Sequence, residues 1–141
     1  MDTIVAENPD ETIWRCYAMK TGEKTASSVE REDVPGLLAD GARLWLDVRN
    51  PTDEDVKWLG EVFQFHDLTL VDVMNNDVRP KQESFDDVLF TVLNAINLNK
   101  GEDNLDTINL NIFLTEQYVV SCHCKPLKTV RAAAEAMNGK R

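Results

Sequence analysis

Basic residues are in short supply. Over 141 residues, 15 Lys and Arg face 25 Asp and Glu, so the net charge is −10. A surface of that sign repels a phosphate backbone, which excludes a dedicated nucleic-acid binder. It suits divalent cations as partners, and equally suits charge used only for solubility. Long apolar runs are missing too. The longest strongly apolar stretch is Cys16-Tyr17-Ala18-Met19, against the about 20 residues that a bilayer span requires. Met1-Asp2-Thr3 has neither the basic start nor the apolar core of a secretory leader, so none is expected. Three cysteines are too few, and odd in number, for a disulfide framework. The expected compartment is therefore reducing and cytosolic.

Catalytic signatures are also absent. There is no Gly-rich dinucleotide loop, no phosphate-binding P-loop, no HExxH and no GxSxG. His66 and His123 are the only histidines, and neither has a nucleophile placed beside it in sequence. The expectation is a protein that is not an enzyme. Cys122-His123-Cys124, completed by Cys16 or His66, invites a zinc reading. Its spacing is tighter than the two to four intervening residues of structural zinc pairs. In an extended strand, Cys122 and Cys124 share one face and His123 takes the other, which predicts a strand end with two buried thiols. Asp86-Asp87, as neighbours in a strand, diverge and read as a solvated strand entry. Asp53-Glu54-Asp55 sits where a helix begins and reads as capping against the helix dipole.

What is present is ordinary globular material, 43% apolar and 28% charged. It is enough for one domain over 1–141, with 1–11 as a loose start. Residues 12–19 are β-branched and aromatic and predict a strand, and 20–32 a turn with a short edge strand. Asp33-Val34-Pro35 predicts a helix start with Asp33 as cap, carrying Leu37, Leu38 and Ala39 to Gly41. Residues 44–48 predict a buried strand. A helix follows to about Gln64, capped by Thr52 or Asp53, with Val56, Leu59 and Phe63 as its core stripe. His66-Asp67-Leu68 opens a second short helix to about Asn75. Its Leu70, Val71 and Met74 share a face, and Asp72 lies opposite, near Thr69 and Asn76. Residues 75–81 predict a loop broken by Pro80.

Residues 88–96 are apolar on both faces and predict a strand covered on each side. Residues 97–105 predict a hairpin-type connection. Residues 107–114 alternate, with Ile108, Leu110, Ile112 and Leu114 predicted inward and Asn109 and Asn111 outward. Residues 118–124 return as a strand, completing an antiparallel meander. Pro126 starts a last helix, with Leu127, Val130, Ala134 and Met137 on one stripe, ahead of a polar end at 138–141. The expected class is α/β (α+β), a mixed, largely antiparallel sheet sandwiched between helices.

One ordered set of segments is more specific. It runs Trp45-Leu46-Asp47-Val48, Pro51-Thr52, Phe63-Gln64-Phe65-His66, Leu70-Val71-Asp72-Val73, Arg79-Pro80-Lys81, Phe85-Asp86-Asp87-Val88-Leu89-Phe90, and Leu114-Thr115 followed by Val119-Val120. From about Trp45 to Met137 this resembles the N-terminal cytosolic domain of the CorA family of magnesium transporters. Two positions depart from the family pattern. His-Pro-Leu is His66-Asp67-Leu68 here, and the acidic residue before the family's aspartate is Val71.

The resemblance implies a homopentamer of identical subunits, with this domain on the cytoplasmic side of the cell (inner) membrane. It implies anchorage only through a stalk helix and membrane helices that this chain does not contain, so this fragment itself is expected to be soluble. It further implies that Asp72 takes the place of the family aspartate that binds a regulatory Mg²⁺ between subunits, with weak affinity and gating as the consequence. The partners implied are identical subunits and divalent cations. Arg79-Pro80-Lys81 is read as structural, with Arg79 pairing to a nearby acid. The alternatives are a ZntB-like zinc transporter domain and a free-standing soluble interaction module of the same fold.

Overall fold

The computed structural model describes residues 10–96 and 106–137. Its elements are β1 (Ile13–Met19), β2 (Ser27–Ser28), a 3₁₀ turn (Arg31–Asp33), α1 (Val34–Ala39), β3 (Arg43–Arg49), α2 (Asp53–Phe63), α3 (Asp67–Met74), β4 (Lys81–Phe85), β5 (Val88–Ile96), β6 (Thr107–Leu114), β7 (Tyr118–His123) and α4 (Lys128–Met137). Among the described residues the strands form one seven-stranded sheet in the order β2-β1-β3-β7-β6-β5-β4. Every pairing is antiparallel except β3 with β7. The expected class, a mixed and largely antiparallel sheet between helices, is the one found.

The period of two along each strand divides the side chains between two layers. One face carries Cys16 and Ala18 of β1, Leu44, Leu46 and Val48 of β3, Val120 and Cys122 of β7, Phe113 of β6, and Phe90 and Val92 of β5. These pack with Val34, Val56, Leu59, Phe63, Phe65 and Val73 from the helical side into the main core. The other face is partly covered by α4, where Val130 of the helix and Leu127 just before it meet Ile108, with Trp45, Leu110 and Cys124 around them. Burying this apolar surface is the main favourable term of folding, at about 25 cal/mol per Å².

Local chemistry places α2 well. Thr52 Oγ1 accepts from the Asp55 N–H at 3.2 Å, and Asp55 Oδ2 accepts from the Thr52 N–H at 2.9 Å, a closed capping box. Val56, Leu59 and Phe63 are its buried positions. Gln64 ends the helix in the left-handed region at φ 59°, which lets Phe63 and Phe65 both point into the core with ring centroids 5.3 Å apart. Phe65 then stacks on Phe113 at 3.8 Å, tying the α2–α3 link to the centre of the sheet.

Several expectations are corrected. Asp33 makes no side-chain cap, because the 3₁₀ turn before α1 already holds it in helical geometry (φ −83°, ψ −14°). The loop expected to reach Lys81 stops short of it, since Lys81–Phe85 is an edge strand paired with β5. Asp86-Asp87 is therefore the hairpin turn, with Asp86 at φ 54°, a conformation Asp tolerates better than most residues.

In β6 the asparagines point into the main core, with Asn109 6% and Asn111 2% exposed, whereas Leu114 is 43% exposed on the α4 side. Asn109 can be buried because its amide bonds the Val78 N–H, the Val78 carbonyl and Asn94 Oδ1. β5 is buried only at Phe90 and Val92 of its core face, for Leu93 on the other face and Ile96 at the strand's end are exposed. Cys122 and Cys124 do not share a face. The strand ends at His123, so Cys122 enters the main core and Cys124 packs under α4. The predicted 97–105 connection, the residues of the loose start up to 9 and the polar end at 138–141 lie outside the described residues.

Candidate functional site

α3 is held by its polar residues as much as by its apolar ones. His66 Nδ1 accepts from the Leu68 N–H at 3.2 Å and caps the helix, while its ring stacks on Phe85 at 4.5 Å. Thr69 is buried because its hydroxyl donates to the His66 carbonyl at 2.6 Å. With Thr69 and Val73 turned inward, the face expected from Leu70, Val71 and Met74 is split. Leu70 packs against the core, whereas Leu68, Val71 and Met74 are left 64%, 64% and 41% exposed. α3 thus shows solvent an apolar ridge.

Asp72 lies on the flank of that ridge. Its Oδ2 is 2.6 Å from Lys81 Nζ, and the same ammonium is 2.9 Å from Glu83 Oε1. The Asp72 side chain keeps only 19% of its exposure, that of Lys81 35%. Asp72 and then Glu83 hold the lysine's pKa above its usual value. The cation that meets Asp72 is therefore Lys81 of the Arg-Pro-Lys segment; Arg79 is exposed. Sequence reasoning overlooked Lys81 because β4 was not recognised. Once Lys81 and Glu83 are strand residues two apart, they share one side of the sheet edge.

The donor set constrains the chemistry. Among the described residues no group of three or more His, Cys, Asp or Glu side chains converges to hold a metal ion. One or two carboxylates fit a hard cation that keeps most of its water, as Mg²⁺ does. They do not fit a closed zinc site with four protein ligands.

The Cys-His-Cys segment is committed elsewhere. His123 Nδ1 lies 2.6 Å from the Lys125 carbonyl, and Nε2 lies 2.9 and 3.0 Å from the two Asp47 oxygens. Burial raises the Cys16 thiol pKa to about 11 and pushes that of Cys122 up further, so both stay protonated.

A second polar cluster sits under the sheet's α4 face. Ser121 Oγ donates to Asp47 Oδ1 at 2.6 Å and accepts from Trp45 Nε1 at 3.1 Å. Asp47, His123 and Ser121 are 0%, 2% and 5% exposed. The parallel register creates the cluster by setting Asp47 beside Ser121 and Arg49 beside His123. The serine hydroxyl bonds the carboxylate and no bond joins it to the imidazole, so this is not a nucleophile with its base. Its role is to satisfy buried polar groups. Sequence reasoning passed over Asp47, though a carboxylate inside Leu-Trp-Leu-Asp-Val is a signal that a buried partner exists. Asp53-Glu54-Asp55 caps α2 as expected, and Asp55 also pairs with Arg31 at 3.3 Å.

Residues 40–141 match the family model described as CorA-like Mg2+ transporter protein. The chain is 33% identical over 95 residues, 67% of its length, to the Bacillus subtilis protein YfjQ, which is named for metal ion transport. It is 28% identical over 112 residues, 71% of its length, to the magnesium transporter ALR1 of Saccharomyces cerevisiae. It spans 27% of YfjQ and 13% of ALR1.

Solved structures share the fold, among them the following. Full-length CmaX matches with a TM-score of 0.75 at 23% identity, over 96% of this chain and 41% of that one. The ZntB cytoplasmic domain from Vibrio parahaemolyticus gives 0.66 at 14%, over 91% and 50%. The soluble domain of CorA from Methanocaldococcus jannaschii gives 0.62 at 15%, over 100% and 49%. No helix of the described residues is long and apolar enough to cross a membrane.

Proposed function

The chain belongs to the family of CorA-like Mg²⁺ transporter proteins, and from that premise we propose that it is the cytosolic, ion-sensing domain of a CorA-type divalent cation transporter. In this reading the subunits are identical and assemble as a pentamer. A regulatory Mg²⁺ bound by Asp72 between neighbours favours the closed arrangement. The observation that carries the reading is the position of Asp72, a carboxylate beside the exposed apolar ridge of Leu68, Val71 and Met74. A ridge of that kind suits burial against a second subunit. The cation at its edge would offset repulsion between protomers that each carry −10. An ion that binds one arrangement better than another shifts the balance by its differential affinity, which is all that such a gate needs.

In this chain Asp72 supplies one ligand to the ion, and its fixed position on α3 sets where the neighbour must present its own. Val71, where the family has an acid, adds no second carboxylate and widens the apolar ridge. A ZntB-like zinc transporter domain is the second reading, supported by the likeness of fold to the ZntB cytoplasmic domain. The two differ in the ion bound, and the hydrated-cation donor set at Asp72 favours Mg²⁺.

The test is an amide-shift titration of the chain with MgCl₂ at constant ionic strength. Shifts centred on α3, with half-saturation in the millimolar range, are expected for the parent and absent for Asp72→Asn. Identical titrations of the two proteins would refute the assignment.

A further inference from the structure

Asp72 is not an open ligand, because a lysine stands on it. We propose that Lys81 is a tethered cation that occupies Asp72 while no metal is bound, and that an arriving divalent ion must displace it. The inference rests on the reading of Asp72 given above and adds the residue that sets the ion's threshold.

The geometry supplies a place for each charge before and after exchange. Before exchange, the Lys81 ammonium sits 2.6 Å from Asp72 and 2.9 Å from Glu83, so one positive charge bridges two negative ones. After exchange, the divalent ion holds Asp72, and the ammonium keeps Glu83, its neighbour two residues along β4. No charge is stranded, which is the usual cost of breaking an ion pair. The stem of Lys81 is flexible, and its side chain is 35% exposed, so the swing requires no repacking of the core. Asp72 itself is largely covered, and the ammonium lies on one of its two oxygens. Direct ligation and the full lysine contact therefore compete for the same carboxylate.

The sign of the effect separates competition from a merely structural role. If Lys81 only braces α3 against β4, its removal loosens Asp72 and weakens metal binding. If it competes, its removal tightens binding. The experiment titrates the parent, Lys81→Met, Lys81→Arg and Asp72→Asn with MgCl₂ at constant ionic strength, reading the amide shifts of α3, and first checks that each variant keeps the parent's dispersed spectrum. Competition predicts a dissociation constant lowered about five-fold in Lys81→Met, from the lost ion pair and the lost local positive charge. It predicts a value within about two-fold of the parent in Lys81→Arg, which keeps the charge. An unchanged or weaker Lys81→Met, with Asp72→Asn still abolishing the response, overturns the competition while leaving Asp72 as the ligand. A response that survives Asp72→Asn overturns both.

Discussion

Removing the Asp47 carboxylate tests the energetic account most severely, because so much converges on it. Asp47 is fully buried, accepts from Ser121 and is hydrogen-bonded to His123 across the parallel β3–β7 pair, while His123 commits its other nitrogen to the Lys125 carbonyl. A carbonyl only accepts, so Nδ1 carries a hydrogen, and the ring and the carboxylate share one further proton. Asp47→Ala leaves His123 Nε2 without its partner in the interior and leaves the Ser121 hydroxyl only the Leu46 carbonyl, at 3.5 Å, as an acceptor. Breaking a buried pair by deleting one partner costs about 3–5 kcal/mol, a large part of a total stability of about 5–15 kcal/mol.

Asp47→Asn differs. Its oxygen still accepts from Ser121, and its NH₂ donates to a neutral Nε2, so every group keeps a partner and the expected cost is about 1 kcal/mol. Urea denaturation followed by far-UV circular dichroism reads both. With a slope of about 2 kcal/mol/M, the Ala midpoint falls by roughly 2 M and the Asn midpoint by about 0.5 M. An Ala variant within about 1 kcal/mol of the parent, or an Asn variant as costly as Ala, would refute the proton accounting.

The remaining expectations concern the cap, the buried asparagines and alkaline pH. Thr52→Ala opens the capping box of α2 and should cost about 1 kcal/mol in the same denaturation assay. Asn109→Leu should cost about 2–3 kcal/mol, since it orphans the Val78 N–H and carbonyl. Asn111→Leu should be neutral or stabilising. Asn111 Oδ1 has no partner among the described residues, and its amide makes only a 3.4 Å bond to the Cys122 carbonyl. Burial raises the pKa of Cys16 from 9.0 to about 11, and burial with the nearby Asp87 raises that of Tyr118 from 10.0 to about 12. The unfolded chain releases these protons first, so their stabilisation is complete below about pH 9 and is lost as pH climbs to 11–12. Each group contributes a slope of roughly 1.4 kcal/mol per pH unit in its window, measurable as a falling urea midpoint between pH 9 and 11 that Cys16→Ala reduces.

What could be read from the residues was local or periodic. The start of α2 follows from Thr52 ahead of an acidic first turn, although the box that Thr52 closes with Asp55 shows only in the structure. The Val56, Leu59, Phe63 stripe follows from helical spacing, and the meander from three apolar runs. What could not be read depended on distant partners. The side chains Lys-Gln-Glu-Ser-Phe of β4 alternate too weakly to announce a strand, and β4 exists because β5 offers an edge. Hydrophobicity alone predicts Asn109 and Asn111 outward, yet they face the core, Asn109 because the Val78 backbone needs its amide. The α3 face expected from Leu70, Val71 and Met74 is split because Thr69 satisfies its hydroxyl on its own helix and turns inward with Val73. The partner of Asp72 followed from that geometry, not from any motif, whereas Asp72 itself was legible only through resemblance to a family.

The central claim is that magnesium bound at Asp72 reports to a pore. On the proposed function, the most direct measurement is cation flux through a full-length protein that carries this domain, reconstituted in vesicles, as Mg²⁺ is raised on the side facing the domain. The account predicts that flux through the parent falls as Mg²⁺ enters the millimolar range, and that Asp72→Asn shifts the inhibiting concentration several-fold upward. Superimposable inhibition curves for the two proteins would contradict it.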